Sequence, residues 1–222
     1  MKRILASLLA AVGFSSTTQA APKVQMIDVK SLQYTMPTVA ADSIDYVVPT
    51  KESFQGAPQF HEDEWAQLEF FPKTRLGDIQ KMLKEYKSFE VENRSKHGWK
   101  NCYARRIDRT PVLSSSISVK DIAGLVSGTA VPAPILGTFS QAFGQVKNGF
   151  SVELGKNAYL YGIRDEHGTT VLGASLAGAD DMLLTKAFTS LSKNYSLILV
   201  DWRQQIILVS VAEDGQLDVW RP

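Results

Sequence analysis

The C-terminal sequence of the chain, from Tyr195 to Pro222, is YSLILVDWRQQIILVSVAEDGQLDVWRP. It contains two apolar runs rich in β-branched residues, Leu197–Val200 and Ile206–Val211, with polar residues between them. A third short run, Leu217–Trp220, follows the turn sequence Glu213–Gly215. Apolar runs of this length, separated by polar or Asp-Gly residues, predict a three-stranded antiparallel meander.

A hairpin and a helix are predicted directly before this meander. Two strand-like runs, Asn157–Ile163 and Thr169–Ala174, flank Asp165–Gly168, which is typical of a hairpin with a four-residue turn. From Asp180 to Lys193 the apolar residues recur at helical spacing, and the acidic residues at the start suit the positive end of a helix. This succession predicts an α+β fold with a mainly antiparallel sheet that carries helices on one face.

The first half of the domain predicts a strand-helix-strand unit. Glu64–Phe71 alternates polar and apolar residues, which is the period of a strand with one buried face. Thr74–Asn93 carries one apolar stripe and a charged opposite face, which is typical of a surface helix. Trp99–Ile107 completes the unit, which is compatible with a parallel βαβ arrangement, and an antiparallel arrangement is left open.

The middle of the chain predicts two short helices. Ser118 followed by Asp121 is typical of a capping box at the start of the first helix. The second helix is predicted before Asn148, because apolar residues recur there with i, i+3, i+4, i+7 spacing. These residues are Phe139, Ala142, Phe143 and Val146.

The N-terminus predicts a cleaved secretory signal peptide over residues 1–20. Two basic residues precede an apolar core of about ten residues, and Ala20 ends a polar stretch. This core is shorter than the roughly 20 apolar residues of a membrane span, so we expect export to the bacterial periplasm or beyond and no stable membrane insertion. Residues 21–56 contain scattered prolines and predict an extended or mobile N-terminal segment, which leaves 57–222 as a single α+β domain.

Charge and cysteine content narrow the possible functions. Removal of residues 1–20 takes away Lys2 and Arg3 and changes the formal net charge from +1 to −1, a balance that argues against nucleic-acid binding. Cys102 is the only cysteine, so an internal disulfide is excluded. The three histidines are too far apart for a local metal motif, and phosphate-binding glycine motifs are absent, so we expect no metal and no cofactor.

The sequence contains weak catalytic candidates, namely Cys102, Ser175, His97 and His167. Arg105 and Arg106 flank Cys102 and would favour its thiolate. Ser175 lies among small residues but lacks the Gly-x-Ser-x-Gly turn of many hydrolases. The alternative function is therefore a hydrolase or transferase in which Cys102 or Ser175 acts beside a histidine.

Residues 94–109 concentrate six basic residues around a single acid, Asp108, with two aromatic residues between them. The predicted binding residues are Arg94, Lys96, Trp99, Lys100, Tyr103, Arg105, Arg106 and Arg109. In an exported protein, such a segment suits an acidic protein surface or another anionic envelope component. The competing interpretation is structural, in which the same charges pair with the acidic residues of 62–69 on the adjacent strand.

The leading prediction is a non-enzymatic, exported binding or adaptor protein that uses segment 94–109. It rests on the basic segment and on the lack of a recognisable catalytic constellation in the sequence. A third function is that of a periplasmic inhibitor or immunity-like protein, for which Asp108–Ser118 is the candidate protruding loop.

Overall fold

The computed structural model describes residues 33–138 and 140–222. The predicted signal peptide, 1–20, and the first part of the N-terminal segment lie outside these residues. Gln33–Pro222 belong to one compact unit, so the described part of the N-terminal segment is included in it. None of the helices in the described chain is long and apolar enough to cross a membrane.

Over the described residues the chain forms fifteen strands and four α-helices. The strands are β1 (Thr38–Ala40), β2 (Tyr46–Val47), β3 (Gln59–His61), β4 (Leu68–Pro72), β5 (Tyr103–Arg105), β6 (Leu113–Ser114), β7 (Thr129–Val131), β8 (Ile135–Gly137), β9 (Ala142–Val146), β10 (Gly149–Gly155), β11 (Ala158–Asp165), β12 (Gly168–Leu176), β13 (Leu197–Asp201), β14 (Ile206–Val211) and β15 (Leu217–Trp220). The helices are α1 (Lys51–Gly56), α2 (Leu76–Asn93), α3 (Val119–Leu125) and α4 (Asp181–Tyr195).

Nine strands form the main sheet, in the order β15-β14-β13-β4-β12-β11-β10-β7, with β6 beside β12. Every strand pair in this sheet is antiparallel. The predicted meander is β13, β14 and β15, the predicted hairpin is β11 and β12, and the predicted helix after the hairpin is α4. The predicted α+β class with a mainly antiparallel sheet is confirmed.

β4 lies inside the main sheet, between β12 and β13, and contributes to both of its faces. Neighbouring residues of a strand point to opposite faces, so Phe70 packs in a cluster with Phe188 of α4, whereas Phe71 packs in a cluster with Leu83 of α2. α2 and α4 therefore cover opposite faces, and not one face as predicted. The unbroken apolar run Leu197–Val200 of β13 explains the difference, because a strand that is apolar at each position needs cover on both faces.

β1 and β5 form a separate parallel pair, in which Thr38 lies opposite Tyr103 and Ala40 lies opposite Arg105. The predicted strand-helix-strand succession is formed by β4, α2 and β5, but β5 pairs with β1 and not with β4, so the parallel βαβ arrangement does not occur. The physical reason is that both edges of β4 are already hydrogen-bonded, one to β12 and the other to β13.

β2, β9, β8 and β3 form a four-stranded sheet in that order. The prediction of a second helix before Asn148 is therefore wrong, since Ala142–Val146 form strand β9. Gly144 within it has a φ of +142°, which a right-handed helix does not accommodate, and both edges of β9 are paired. The first predicted helix is confirmed as α3, with both hydrogen bonds of the capping box formed between Ser118 and Asp121.

Candidate functional site

The fold divides the predicted basic segment, residues 94–109, between the core and the surface. Arg105 is 1% exposed, and the side chain of Arg109 is 22% exposed. The exposed members are Arg94, Lys96, Lys100 and Arg106, and the half-buried aromatic members are Trp99 and Tyr103. Segment 94–109 is therefore not one continuous binding surface.

Arg105, the last residue of β5, is fixed in the core by its guanidinium group. Nη1 donates to Oγ1 of Thr38 at 2.8 Å, and Nη2 donates to the carbonyl oxygen of Ala66 at 2.9 Å. The guanidinium carbon lies 5.0 Å from the centre of the Trp202 ring, which is a cation–π distance. Burial lowers the pKa of Arg105 to about 10 while nearby carboxylates oppose the decrease, so the group stays cationic at neutral pH.

Glu69 of β4 is fully buried and is paired with Arg109. Nη1 of Arg109 donates to Oε1 of Glu69, and the indole Nε1 of Trp202 donates to Oε2 at 3.4 Å. Nε and Nη2 of Arg109 donate to the two carboxylate oxygens of Asp42, with 2.8 Å between Nε and Oδ1. Burial raises the pKa of Glu69, which the guanidinium groups of Arg109 and Arg105 oppose. Burial alone would lower the pKa of Arg109, but the two carboxylates hold it above its ordinary value.

Asp42, Glu69, Arg105 and Arg109 form what we call the buried charge network. Its two acids and two bases join the N-terminal segment, β4, β5 and the loop after β5. Buried charges are stable only when they are paired, so Arg105 and Arg109 have a structural role and are removed from the predicted binding surface. The competing structural interpretation therefore holds at Glu69, whereas Glu64 pairs with Arg203 instead.

Asp42 is the member of the buried charge network that the sequence analysis missed. It lies in the N-terminal segment, 67 positions before Arg109. Nε1 of Trp65 also donates to its Oδ2, at 3.1 Å. No local pattern connects residues so far apart, and the only signal is the excess of bases in segment 94–109, which requires acids from elsewhere in the chain.

The structure holds the candidate residues Ser175 and His167 apart. His167 is exposed in the turn between β11 and β12, and Ser175 lies near the other end of that hairpin, opposite Tyr159. The intervening strand, at roughly 3.3 Å per residue, separates His167 from Ser175 by about 26 Å. His97 is exposed in the turn that follows α2.

Cys102 is half-buried in an environment that disfavours its thiolate. Burial raises the pKa of the thiol, the nearby Asp63 carboxylate raises it further, and Arg105 opposes both effects only in part. The activation expected from Arg105 and Arg106 is therefore outweighed, and Arg106 is exposed to solvent. A thiol with a raised pKa is mostly protonated at neutral pH and is a poor nucleophile. The described residues contain no group of three or more His, Cys, Asp or Glu suited to a metal ion.

Three of the four exposed bases of segment 94–109 lie within Arg94–Lys100, which we call the basic turn. It follows α2 directly and is closed by backbone hydrogen bonds. The amide of Ser95 donates to the carbonyl oxygen of Gly98, and the amide of Lys100 donates to that of Asn93, both at 2.8 Å. The backbone of the basic turn is therefore ordered by its own contacts.

Tyr34 of the N-terminal segment anchors the basic turn from outside. Its amide donates to the carbonyl oxygen of Trp99 at 2.8 Å, and the amide of Trp99 donates to the carbonyl oxygen of Tyr34 at 3.0 Å. Gly98 has a φ of +153°, and a Cβ atom there would lie 2.4 Å from the Tyr34 carbonyl oxygen, so this close approach requires glycine. Tyr34 stays 51% exposed and places an aromatic ring beside the basic turn.

Replacement of Arg109 by Met should lower the free energy of unfolding by about 3–5 kcal/mol, because Glu69 then lies in the core without its partner. Chemical denaturation followed by tryptophan fluorescence measures the loss. Adding Glu69→Gln to this variant should recover part of it, since the unpaired charge is removed. Arg106→Met is the matched control on an exposed neighbour and should change stability by no more than about 0.5 kcal/mol. Equal losses for the two arginine variants would contradict the structural role of Arg109.

Iodoacetamide should alkylate Cys102 in the folded protein more slowly at neutral pH than it alkylates N-acetylcysteine. The rate should reach half its maximum only above the usual thiol pKa of about 8.5, because burial and Asp63 both disfavour the thiolate. Mass spectrometry across the neutral-to-alkaline range measures the rate, and the urea-unfolded protein is the control. A folded-state rate above that control at neutral pH would indicate an activated cysteine and favour the enzymatic alternative.

Comparison with known proteins adds no assignment to this geometry. No protein-family model, curated protein or solved structure matches the chain. The candidate site therefore rests on the contacts of the described residues.

Proposed function

We propose that the protein is exported to the bacterial periplasm and acts there as a non-enzymatic binding or adaptor protein. Its partner presents an acidic protein segment, and the basic turn provides the contact. The observation that supports this function is the joint exposure of Arg94, Lys96, His97 and Lys100 on one ordered turn. Carboxylate groups of a partner chain are complementary to this set of side chains.

The charge of the basic turn is mostly uncompensated within the described chain. Nη1 of Arg94 lies 4.0 Å from Oε1 of Glu90, and the Arg94 side chain is 71% exposed. Neither Lys96 nor Lys100 forms an ion pair with any residue that the structure describes. A partner carboxylate that binds Lys96 or Lys100 therefore displaces water and does not compete with an existing ion pair, whereas at Arg94 it competes with the contact to Glu90.

The order of the basic turn favours binding as well. Its backbone hydrogen bonds and the two bonds to Tyr34 fix its conformation before any partner arrives. A preordered turn loses less conformational entropy on binding than a flexible loop does. The half-exposed ring of Tyr34 adds an aromatic contact of the kind that is enriched in protein interfaces.

An anionic lipid surface is the competing partner for the basic turn. Each Lys or Arg near such a surface contributes roughly 1 kcal/mol, so the few charges of this turn give only weak attachment. A protein segment offers, in addition, carboxylates that match the forked geometry of Arg94. The acidic protein segment is therefore the favoured partner.

The alternative functions receive less support from the geometry. Ser175 and His167 lie near opposite ends of their hairpin, and the pKa of the Cys102 thiol is raised. Asp108–Ser118, the contact loop expected of an inhibitor, is tied to the main sheet through β6, and its Val112 and Leu113 are buried. The burial of these two residues anchors the loop to the main sheet and argues against a freely protruding contact loop.

Export implies that the mature protein begins at Ala21. Expression of the full chain in a bacterial host should yield periplasmic protein whose mass and N-terminal sequence correspond to cleavage after Ala20. Ala20→Arg should prevent this cleavage, because the peptidase requires a small residue at that position. Recovery of the uncleaved wild-type chain from the cytoplasm would contradict the export step.

Binding by the basic turn is tested with a fluorescein-labelled hexaglutamate peptide and fluorescence anisotropy. The double variant K96E/K100E should weaken peptide binding by about tenfold or more, which corresponds to ~1.4 kcal/mol. The matched control K120E/K156E makes the same charge change on α3 and on the turn between β10 and β11, where both lysines are exposed. This control should retain most of the affinity.

Two outcomes would contradict the proposal, and a stability measurement serves as a control. Equal losses in both double variants would show a general charge effect and contradict the role of the basic turn. Wild-type binding to anionic phospholipid vesicles but not to the peptide would assign the turn to a lipid surface. The unfolding free energy of K96E/K100E is measured in parallel, because cations also stabilise the C-terminal end of a helix such as α2.

A further inference from the structure

The main sheet has a cleft at the end where β4 begins. β4 starts at Leu68, level with Asp201 of β13, whereas β12 continues past this level through Ser175 and Leu176. Two adjoining cavities, of about 300 Å³ and about 250 Å³, lie beside the start of β4. They share Leu68, Leu176, Asp201 and Gln204 as walls, so we treat them as one cleft.

The larger cavity of the cleft has an apolar lining. Its leucines are Leu68, Leu176, Leu184, Leu199 and Leu208. α4 borders it with Asp181 and Thr185 from its first two turns. A cavity of this size is at the lower end of the range for small-molecule sites, which are mostly apolar with a few placed polar groups.

Asp201 gives the cleft a half-buried carboxylate. Its Oδ1 accepts a hydrogen bond from the amide of Gln204 at 2.9 Å. Over the described ranges, 33–138 and 140–222, no ion pair joins Asp201 to a basic side chain. Arg203, the nearest base in the sequence, instead lies 2.6 Å from Glu64. Burial raises the pKa of Asp201, and the backbone amides of Gln204 and Arg203 together with the charge of Arg203 oppose this only in part, so its negative charge is incompletely compensated.

The N-terminal end of α4 borders the cleft without making it attractive to anions. Asp180 caps this end by accepting a hydrogen bond from the amide of Met182 at 2.9 Å. Asp181 lies in the first turn and lines the cleft. Both carboxylates offset the partial positive charge of the helix end. The cleft is therefore acidic as well as apolar, because its three lining carboxylates, Glu64, Asp181 and Asp201, outnumber its one lining base, Arg203.

We propose that this cleft binds an aliphatic ammonium ion, with the charged head beside Asp201 and the hydrocarbon chain against the leucines. The apolar wall alone would accept any small hydrocarbon, and the carboxylate alone would be best solvated by water. A ligand with both parts satisfies both surfaces. An ammonium group has three N–H donors, and Ser175 and Gln204 at the rim offer oxygen acceptors for those that Asp201 does not use. The serine then acts as a hydrogen-bonding residue and not as a nucleophile.

Hexylammonium is the probe for this site, and 1-hexanol is the neutral ligand of matched length. In ¹H–¹⁵N NMR titrations of the wild-type protein, both ligands should shift the amide signals of Ser175, Leu176 and Gln204. Hexylammonium should bind about tenfold more tightly than 1-hexanol, a difference of ~1.4 kcal/mol. Asp201→Asn keeps the side-chain shape and removes the charge, so it should abolish this preference while 1-hexanol still binds.

Asp214→Asn, in the exposed turn between β14 and β15, is the matched control and should leave the preference unchanged. Thr185→Phe should fill the larger cavity and weaken both ligands, which tests the location even if Asp201→Asn fails to fold. Equal affinity of the wild type for the two ligands would overturn the proposal. Tighter binding of hexanoate than of hexylammonium, or signal shifts confined to residues outside the cleft, would overturn it as well.

Discussion

A buried carboxylate in a central strand, Glu69 of β4, imposes the constraint on which the rest of the structure depends. Its charge is tolerated in the core only because Arg109 and Arg105 lie close enough to compensate it. Arg109 also holds Asp42, so the compensation of one carboxylate fixes the N-terminal segment, β5 and the following loop against the main sheet. Such a network adds little net stability relative to an apolar core, and its main effect here is to determine which segments meet.

The same network determines which basic residues of segment 94–109 are exposed to a partner. Along β5, the ring of Tyr103 stacks on Tyr86 of α2 at 5.3 Å, Ala104 is exposed and Arg105 is buried. The alternation of a strand therefore sends adjacent residues to different environments. Two of the six basic residues are used inside the molecule, and the charge available at the surface is concentrated in the basic turn.

The elements that could be predicted from the sequence are those with a local signal. The capping box at Ser118, the turn Asp165–Gly168 and the apolar runs of the meander each occupy a few consecutive residues. Strand β9 was missed because its apolar spacing fits a helix equally well, and the positive φ of Gly144 leaves no trace in that spacing. The burial of Arg105 was also beyond prediction, since arginine is rarely buried and its acidic neighbours come from distant parts of the chain. The cleft likewise depends on where β4 begins relative to its neighbours, which is a property of strand register.

The parallel pairing of β1 with β5 has a consequence for the order of folding. Thr38 lies 65 positions before Tyr103, whose carbonyl oxygen accepts its hydroxyl hydrogen bond. Hairpins close within microseconds, whereas contacts between such distant segments must first overcome a large loop-closure entropy. We therefore expect the N-terminal segment to dock after the hairpins of the main sheet have formed. Until it docks, the Asp42 carboxylate is missing and Arg109 is oriented by Glu69 alone. The core around the central strand is then incomplete.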